Sequence, residues 1–167
     1  MGPERIYAAL GPPDGRTLAG PAVVYSDVAR VDRYRLQIMP GAFAPLPADV
    51  ALNVQHDRAA IVARIGAGLE LQDGPDQLRM AATLPATPRA DQALADVKAG
   101  LLLGISAELV VARQTVSGGL RKVEKATLTG LALVDTPAFP QSEIEAMAAR
   151  IAAEQTGGWR RAAEGWL

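Results

Sequence analysis

Leu101-Leu102-Leu103-Gly104-Ile105-Ser106-Ala107-Glu108-Leu109-Val110-Val111, then Ser117-Gly118-Gly119, then Val123 through Val134: this stretch decides the fold. Both apolar runs lack the polar alternation of a half-exposed strand, so each reads as a strand buried on both faces. Ser117-Gly118-Gly119 supplies the backbone freedom of a tight hairpin turn between them. Two polar groups interrupt the first run. Ser106 and Glu108 are two positions apart and share one face of a strand, with Cβ atoms roughly 7 Å apart. One reading of Ser106 is a small residue that packs tightly beside Gly104. Against it stands the cost of an unpartnered buried hydroxyl, about 1–3 kcal/mol. A serine and a carboxylate on one face of an apolar strand mark a candidate site.

Working outward, Arg89–Ala99 reads as a helix that delivers the chain into this hairpin. Thr87 is its N-cap, Pro88 lies in its first turn, Ala90, Leu94 and Val97 make its apolar side, and Gly100 stops it. Beyond the hairpin, Thr136-Pro137-Ala138-Phe139-Pro140 ends the last strand, because proline cannot donate to a ladder. A second helix is expected over Ser142–Glu154, opened by the Ser142/Glu145 capping box and striped by Ile144, Met147, Ala148 and Ile151. Thr156-Gly157-Gly158 separates it from an amphipathic tail, Trp159–Leu167, that carries both tryptophans. Exposed tryptophans there suit a partner or dimer contact. Upstream, short strands broken by Gly and Pro turns are expected at Ile6–Leu10, Pro21–Tyr25, Tyr34–Met39, Ala51–Val54, Ile61–Ile65, Leu69–Leu71 and Leu78–Leu84. Residues 1–140 thus form a β-rich domain and residues 141–167 a helix and tail.

Composition narrows the chemistry. A chain of 167 residues, 49% hydrophobic but only 4% aromatic, builds one core from Ala, Val, Leu and Ile. Seventeen basic and eighteen acidic residues leave a net charge of -1, which points away from nucleic acid and anionic membranes and toward protein or small-molecule partners. The absence of cysteine removes disulfides, thiol nucleophiles and thiolate zinc sites together. A single histidine argues equally against a histidine-rich metal centre, so neither metal nor cofactor is expected. No segment reaches the ~18 uninterrupted apolar residues of a membrane span, and a cytoplasmic protein is expected. Gly66-Ala67-Gly68 lacks the helix that follows a dinucleotide-binding loop and reads as a turn.

The one histidine, His56, follows Ala51-Leu52-Asn53-Val54-Gln55 at a strand end, where loops carry chemistry on a rigid frame. Histidine takes and returns a proton near neutral pH, and with a serine in reach it makes a nucleophile–base pair. A lone histidine beside an apolar segment is also a common hydrogen-bonded structural residue. Such a pair further needs an orienting group for the base and donors for an oxyanion. Glu108 is the preferred orienting carboxylate. Asp57 reads as a turn cap, Asp135 as a strand-end acid, and Glu124 as part of a solvated face formed by Arg121-Lys122-Val123-Glu124-Lys125.

The residues resemble a family at this point: the prohead proteases of tailed phages, similar in fold to the herpesvirus capsid-assembly proteases. The resemblance lies in Gln55-His56-Asp57 followed by Ile65-Gly66, in Leu84-Pro85-Ala86-Thr87 before the helix ending Val97-Lys98-Ala99-Gly100, in Gly104-Ile105-Ser106-Ala107-Glu108, and in Leu128-Thr129-Gly130-Leu131-Ala132-Leu133-Val134-Asp135-Thr136-Pro137-Ala138. It implies an α+β fold, a mostly antiparallel β-barrel surrounded by a few helices. It implies a serine endopeptidase with Ser106 as nucleophile and His56 as base. The implied substrate is a capsid-protein or scaffold segment, and often the enzyme itself, cut inside an immature shell in the bacterial cytoplasm. Where a third residue is assigned in the family it is a carboxylate on the last strand, and Gly130 stands in that place here. Glu108 or Asp135 then reaches the histidine, or a dyad acts alone. Oxyanion donors are expected near Thr136–Phe139, and the Ser142–Glu154 helix is a dimer interface by analogy. The competing expectations are a catalytically weak or inactive relative serving capsid assembly as an interaction module, and an unrelated small β-barrel binding module.

Overall fold

The computed structural model describes residues 4–10, 13–31 and 34–135. Ten strands and one helix run in the order β1 (Glu4–Ala9), β2 (Thr17–Val24), β3 (Val28–Val31), β4 (Tyr34–Ile38), β5 (Ala51–Val54), β6 (Asp57–Ile65), β7 (Gly68–Asp73), β8 (Gln77–Thr83), α1 (Pro88–Lys98), β9 (Gly104–Ser117) and β10 (Leu120–Val134). The expected second helix, the tail and the Thr136–Phe139 donors lie outside the described residues.

The hairpin that the apolar runs announce is the spine of the molecule. β9 and β10 pair antiparallel over their full lengths, joined by Gly118 and Gly119 at φ of 57° and 76°, the two left-handed positions of a type I′ turn. Burial on both faces holds only for the first half of β9. Gly104 through Ala107 and Leu109 are buried, whereas from Val110 onward most of β9 is exposed. Leu101 to Leu103 precede the strand: the N–H groups of Leu101 and Leu102 donate to the Asp96 carbonyl, which wraps the chain off the end of α1.

The sheet has the order β1-β9-β10-β5-β6-β7-β8-β2, with β4 also on β10 and β3 on β4. The fold is β-rich, as expected, and six of the nine strand pairings among the described residues are antiparallel. It is mostly β, a curled half-barrel of mixed sheet, and α1 is the single helix among the described residues. The mixing has a simple cause. β10 is long enough to take β4 alongside its start and β5 alongside its end, both parallel to it, because residues 39–50 carry the chain along rather than back in a tight turn. A parallel contact between β6 and β7 adds to it. α1 is built as its sequence predicts: Thr87 Oγ1 accepts the Ala90 N–H, Pro88 sits at the first turn, and Ala90, Ala93, Leu94 and Val97 are buried.

The core is aliphatic with two aromatics, Tyr25 and Phe43: Leu18, Leu36, Phe43, Leu52, Leu69, Leu78, Met80, Leu84, Ile105, Leu109, Leu128 and Leu131 are its largest fully enclosed side chains. One part of the expected solvated face is not solvated. Arg121 is only 11% exposed, reaches Glu4 on β1 at 2.9 Å and lies 4.5 Å above the Tyr34 ring, tying β10 to β1 and β4. Glu124 does stay near the surface, paired with Arg113.

Candidate active site

β5 and β6 meet in a two-residue turn, with Val54 opposite Asp57 and Gln55-His56 between them. Both turn residues adopt left-handed backbone, at φ of 56° and 60°. Glycine or asparagine usually takes such positions, and an ordinary side chain there costs ~1–2 kcal/mol. The turn is held by the Gln55 N–H donating to the Leu133 carbonyl at 2.8 Å and by Gln55 Oε1 accepting the Asp135 N–H at 3.4 Å. Backbone strain of this kind is stored where a side chain must be aimed. Here it aims His56.

The ring goes to Glu108. His56 Nδ1 lies 2.5 Å from Glu108 Oε1, and the two side chains are 10% and 13% exposed. This contact crosses the sheet. β5 adjoins β10 and β10 adjoins β9, and the residue of β10 opposite Glu108 is Gly130. With no side chain at 130, nothing from β10 stands between histidine and carboxylate. A Cβ built on Gly130 would come 3.9 Å from Glu108 Oε2, an ordinary contact distance. On the other flank of Glu108, in register on β1, stands Arg5, whose Nε is 3.3 Å from the same oxygen, Oε1.

Ser106 is completely buried, alone among the described polar residues in that respect. It shares the Glu108 face of β9 by strand alternation. Its Oγ has no hydrogen-bond partner, and neither His56 nitrogen makes an aligned hydrogen bond, Nδ1 included despite its closeness to Glu108. Buried polar atoms are almost always satisfied, so the unpartnered atoms of His56 and Ser106 mark both residues as candidates for the site. Burial first, and the Arg5 charge second, hold the imidazole below its ordinary pKa of 6.5, while Glu108 pulls the other way. The lowered pKa favours the neutral ring, the form that can accept a proton.

Beside Glu108 and Gly130 opens a cleft of about 460 Å³, bordered also by Asn53, Arg58, Arg64 and Thr129. Asn53 Oδ1 is buried without a partner, and Arg64 is taken up by Asp49. The neighbouring bulge in β6 sets Asn53 opposite Ile61 while Val54 opposes Asp57, so residues 58–60 stand out of register at the rim of the site.

Of the carboxylates weighed in the sequence, Glu108 is the one against His56. Asp57 is the expected turn cap, its Oδ1 accepting the Ala59 N–H at 2.9 Å. Asp135 ends β10 beside Gln55 rather than in the cleft lining. Arg5 was not foreseen. A charged residue in a short N-terminal strand carries no mark of the partner that register will give it. Among the described residues no cluster of ligands suits a metal ion, and no helix is long and apolar enough to cross a membrane.

No curated protein sequence matches this chain. Among solved structures it resembles the bacteriophage T4 capsid assembly protease, gp21, with a TM-score of 0.52 at 14% sequence identity, over 80% of this chain and 99% of that one. That likeness is one of fold. Residues 9–156 match the family model of the caudovirus prohead serine proteases, and the chain belongs to that family.

Proposed function

We propose that the chain is an active serine endopeptidase of capsid maturation, with Ser106 as nucleophile, His56 as general base and Glu108 as the carboxylate that orients the base. The observation that carries the reading is the His56–Glu108 contact: Nδ1 is engaged by a carboxylate while Nε2 and the Ser106 hydroxyl remain buried and unpartnered. A nucleophile–base–acid set further requires Ser106 Oγ to hydrogen-bond His56 Nε2; the structure does not form that bond, so it has to form as substrate binds. Ser106 Oγ attacks the scissile carbonyl carbon as its proton passes to His56 Nε2. The tetrahedral intermediate expels the amine, which takes that proton, and leaves an acyl ester on Ser106. Water, deprotonated by the same nitrogen, then releases the acid and regenerates the serine. Glu108 keeps the imidazole in the tautomer with Nδ1–H and offsets the imidazolium charge.

The substrate is a segment of capsid or scaffold protein, cut inside the immature shell. Full burial of Ser106 implies that the site opens when substrate enters. The same burial favours a second reading, a relative that co-assembles without cutting. Incubation with the capsid protein of the same particle, followed by intact-mass measurement, separates the two. Defined fragments from the wild type, lost with Ser106→Ala and with His56→Ala, support the peptidase. Co-assembly with no cleavage by the wild type overturns it.

A further inference from the structure

The sequence offers one acid for His56, but the structure adds a cation behind that acid. Glu108 Oε1 is shared, with His56 Nδ1 on one side and Arg5 Nε on the other. β1 supplies the arginine because Arg5 and Glu108 are register partners in the antiparallel β1–β9 ladder, so the pairing is fixed by the backbone. We propose that Arg5 is a positioning residue of the site: it anchors the Glu108 carboxylate in the place from which that carboxylate holds His56. The inference rests on the peptidase reading for its consequence in turnover, but not for its geometry.

Three features support an anchoring role over an ordinary surface pair. Glu108 is largely enclosed, and a carboxylate out of water needs a counter-charge or donors to stay ionised. The opposite flank of Glu108 is Gly130, which offers no side chain to restrain it, so Arg5 is the restraint that remains beside the ring itself. The shared oxygen means that any movement of Arg5 is felt at Nδ1. Other charges near the ring are accounted for. Asp57 caps its own turn, Arg64 pairs with Asp49, Arg58 lines the cleft next to Glu108, and Asp135 flanks Gln55 at the end of β10. Arg5 and Glu108 are the charges that act on the imidazole, in opposite senses.

The full chain carries one histidine, so its imidazole C2–H resonance is unambiguous. The experiment is an NMR titration of His56 in Ser106→Ala protein, with Arg5 intact and with Arg5→Ala or Arg5→Lys. Removal of the guanidinium should move the His56 midpoint to higher pH, and lysine should leave it near the Arg5 value. In the wild-type Ser106 background, Arg5→Ala should lower kcat about tenfold and shift the acid limb of kcat/KM in the same direction, with KM little changed. An unmoved His56 midpoint in folded Arg5→Ala protein overturns the inference. Where Arg5→Ala does not fold, Arg5→Gln takes its place, and a midpoint equal to the Arg5 value overturns it as well. The titration needs no turnover. A chain that proves unable to cut would therefore sink the peptidase reading and leave this one standing or falling by the midpoint.

Discussion

Glu108 and Gly130 face each other across one rung of the β9–β10 ladder, and that rung sets which strand presents a carboxylate to His56. Glu108→Gln keeps the shape but loses the charge that offsets an imidazolium, and turnover should fall by about 100-fold in a steady-state assay with a capsid-segment peptide. Adding Gly130→Asp to that variant should recover part of the loss. A Cβ there lies 3.9 Å from Glu108 Oε2, an ordinary contact distance, so a side chain can start from this position. Near-wild-type activity in Glu108→Gln would remove Glu108 from the mechanism. At this scale the sequence was legible where chemistry is local in type: one histidine, one serine inside an apolar strand, and one glutamate two positions along. The left-handed Gln55-His56 turn and the Arg5 contact were not legible. Neither residue type favours positive φ, and the arginine meets its partner only through register with a strand far along the chain.

The elements that could be read from sequence are those whose signals are short-range. Thr87, Pro88 and Gly100 mark both ends of α1, and Gly118-Gly119 marks the hairpin turn. β3 was missed because Val28–Val31 is brief and set among charged residues, and the parallel placement of β4 and β5 on β10 leaves no trace in either strand's own pattern. Gly104 shows how one residue can serve a junction between elements. A Cβ at this position would lie 2.7 Å from the Ala8 carbonyl oxygen, closer than real contacts allow, so β1 can lie against the start of β9 only over a glycine. Gly104→Ala should destabilise the fold by about 1–3 kcal/mol in urea unfolding. Because it loosens the strand that carries Arg5, activity should fall further than the population of unfolded protein explains.

For the molecule as a whole, the enclosed histidine links stability to pH. Folding lowers the His56 pKa from 6.5, so between the folded value and 6.5 the unfolded chain binds more protons than the native one. This contribution to stability is fully present above 6.5 and is lost as the pH falls through that window. Urea midpoints measured across the window should decline toward acid, and His56→Gln should flatten that decline. The half-barrel also has a consequence in time. β1, the first described strand, pairs with β9, and the β9–β10 ladder completes the same site. A ribosome must therefore deliver nearly the whole described chain before Arg5, His56, Ser106 and Glu108 can meet. A nascent chain carrying only the N-terminal strands holds Arg5 and His56 without Ser106 and Glu108, and on the proposed reading the site forms only after β9 and β10 have emerged.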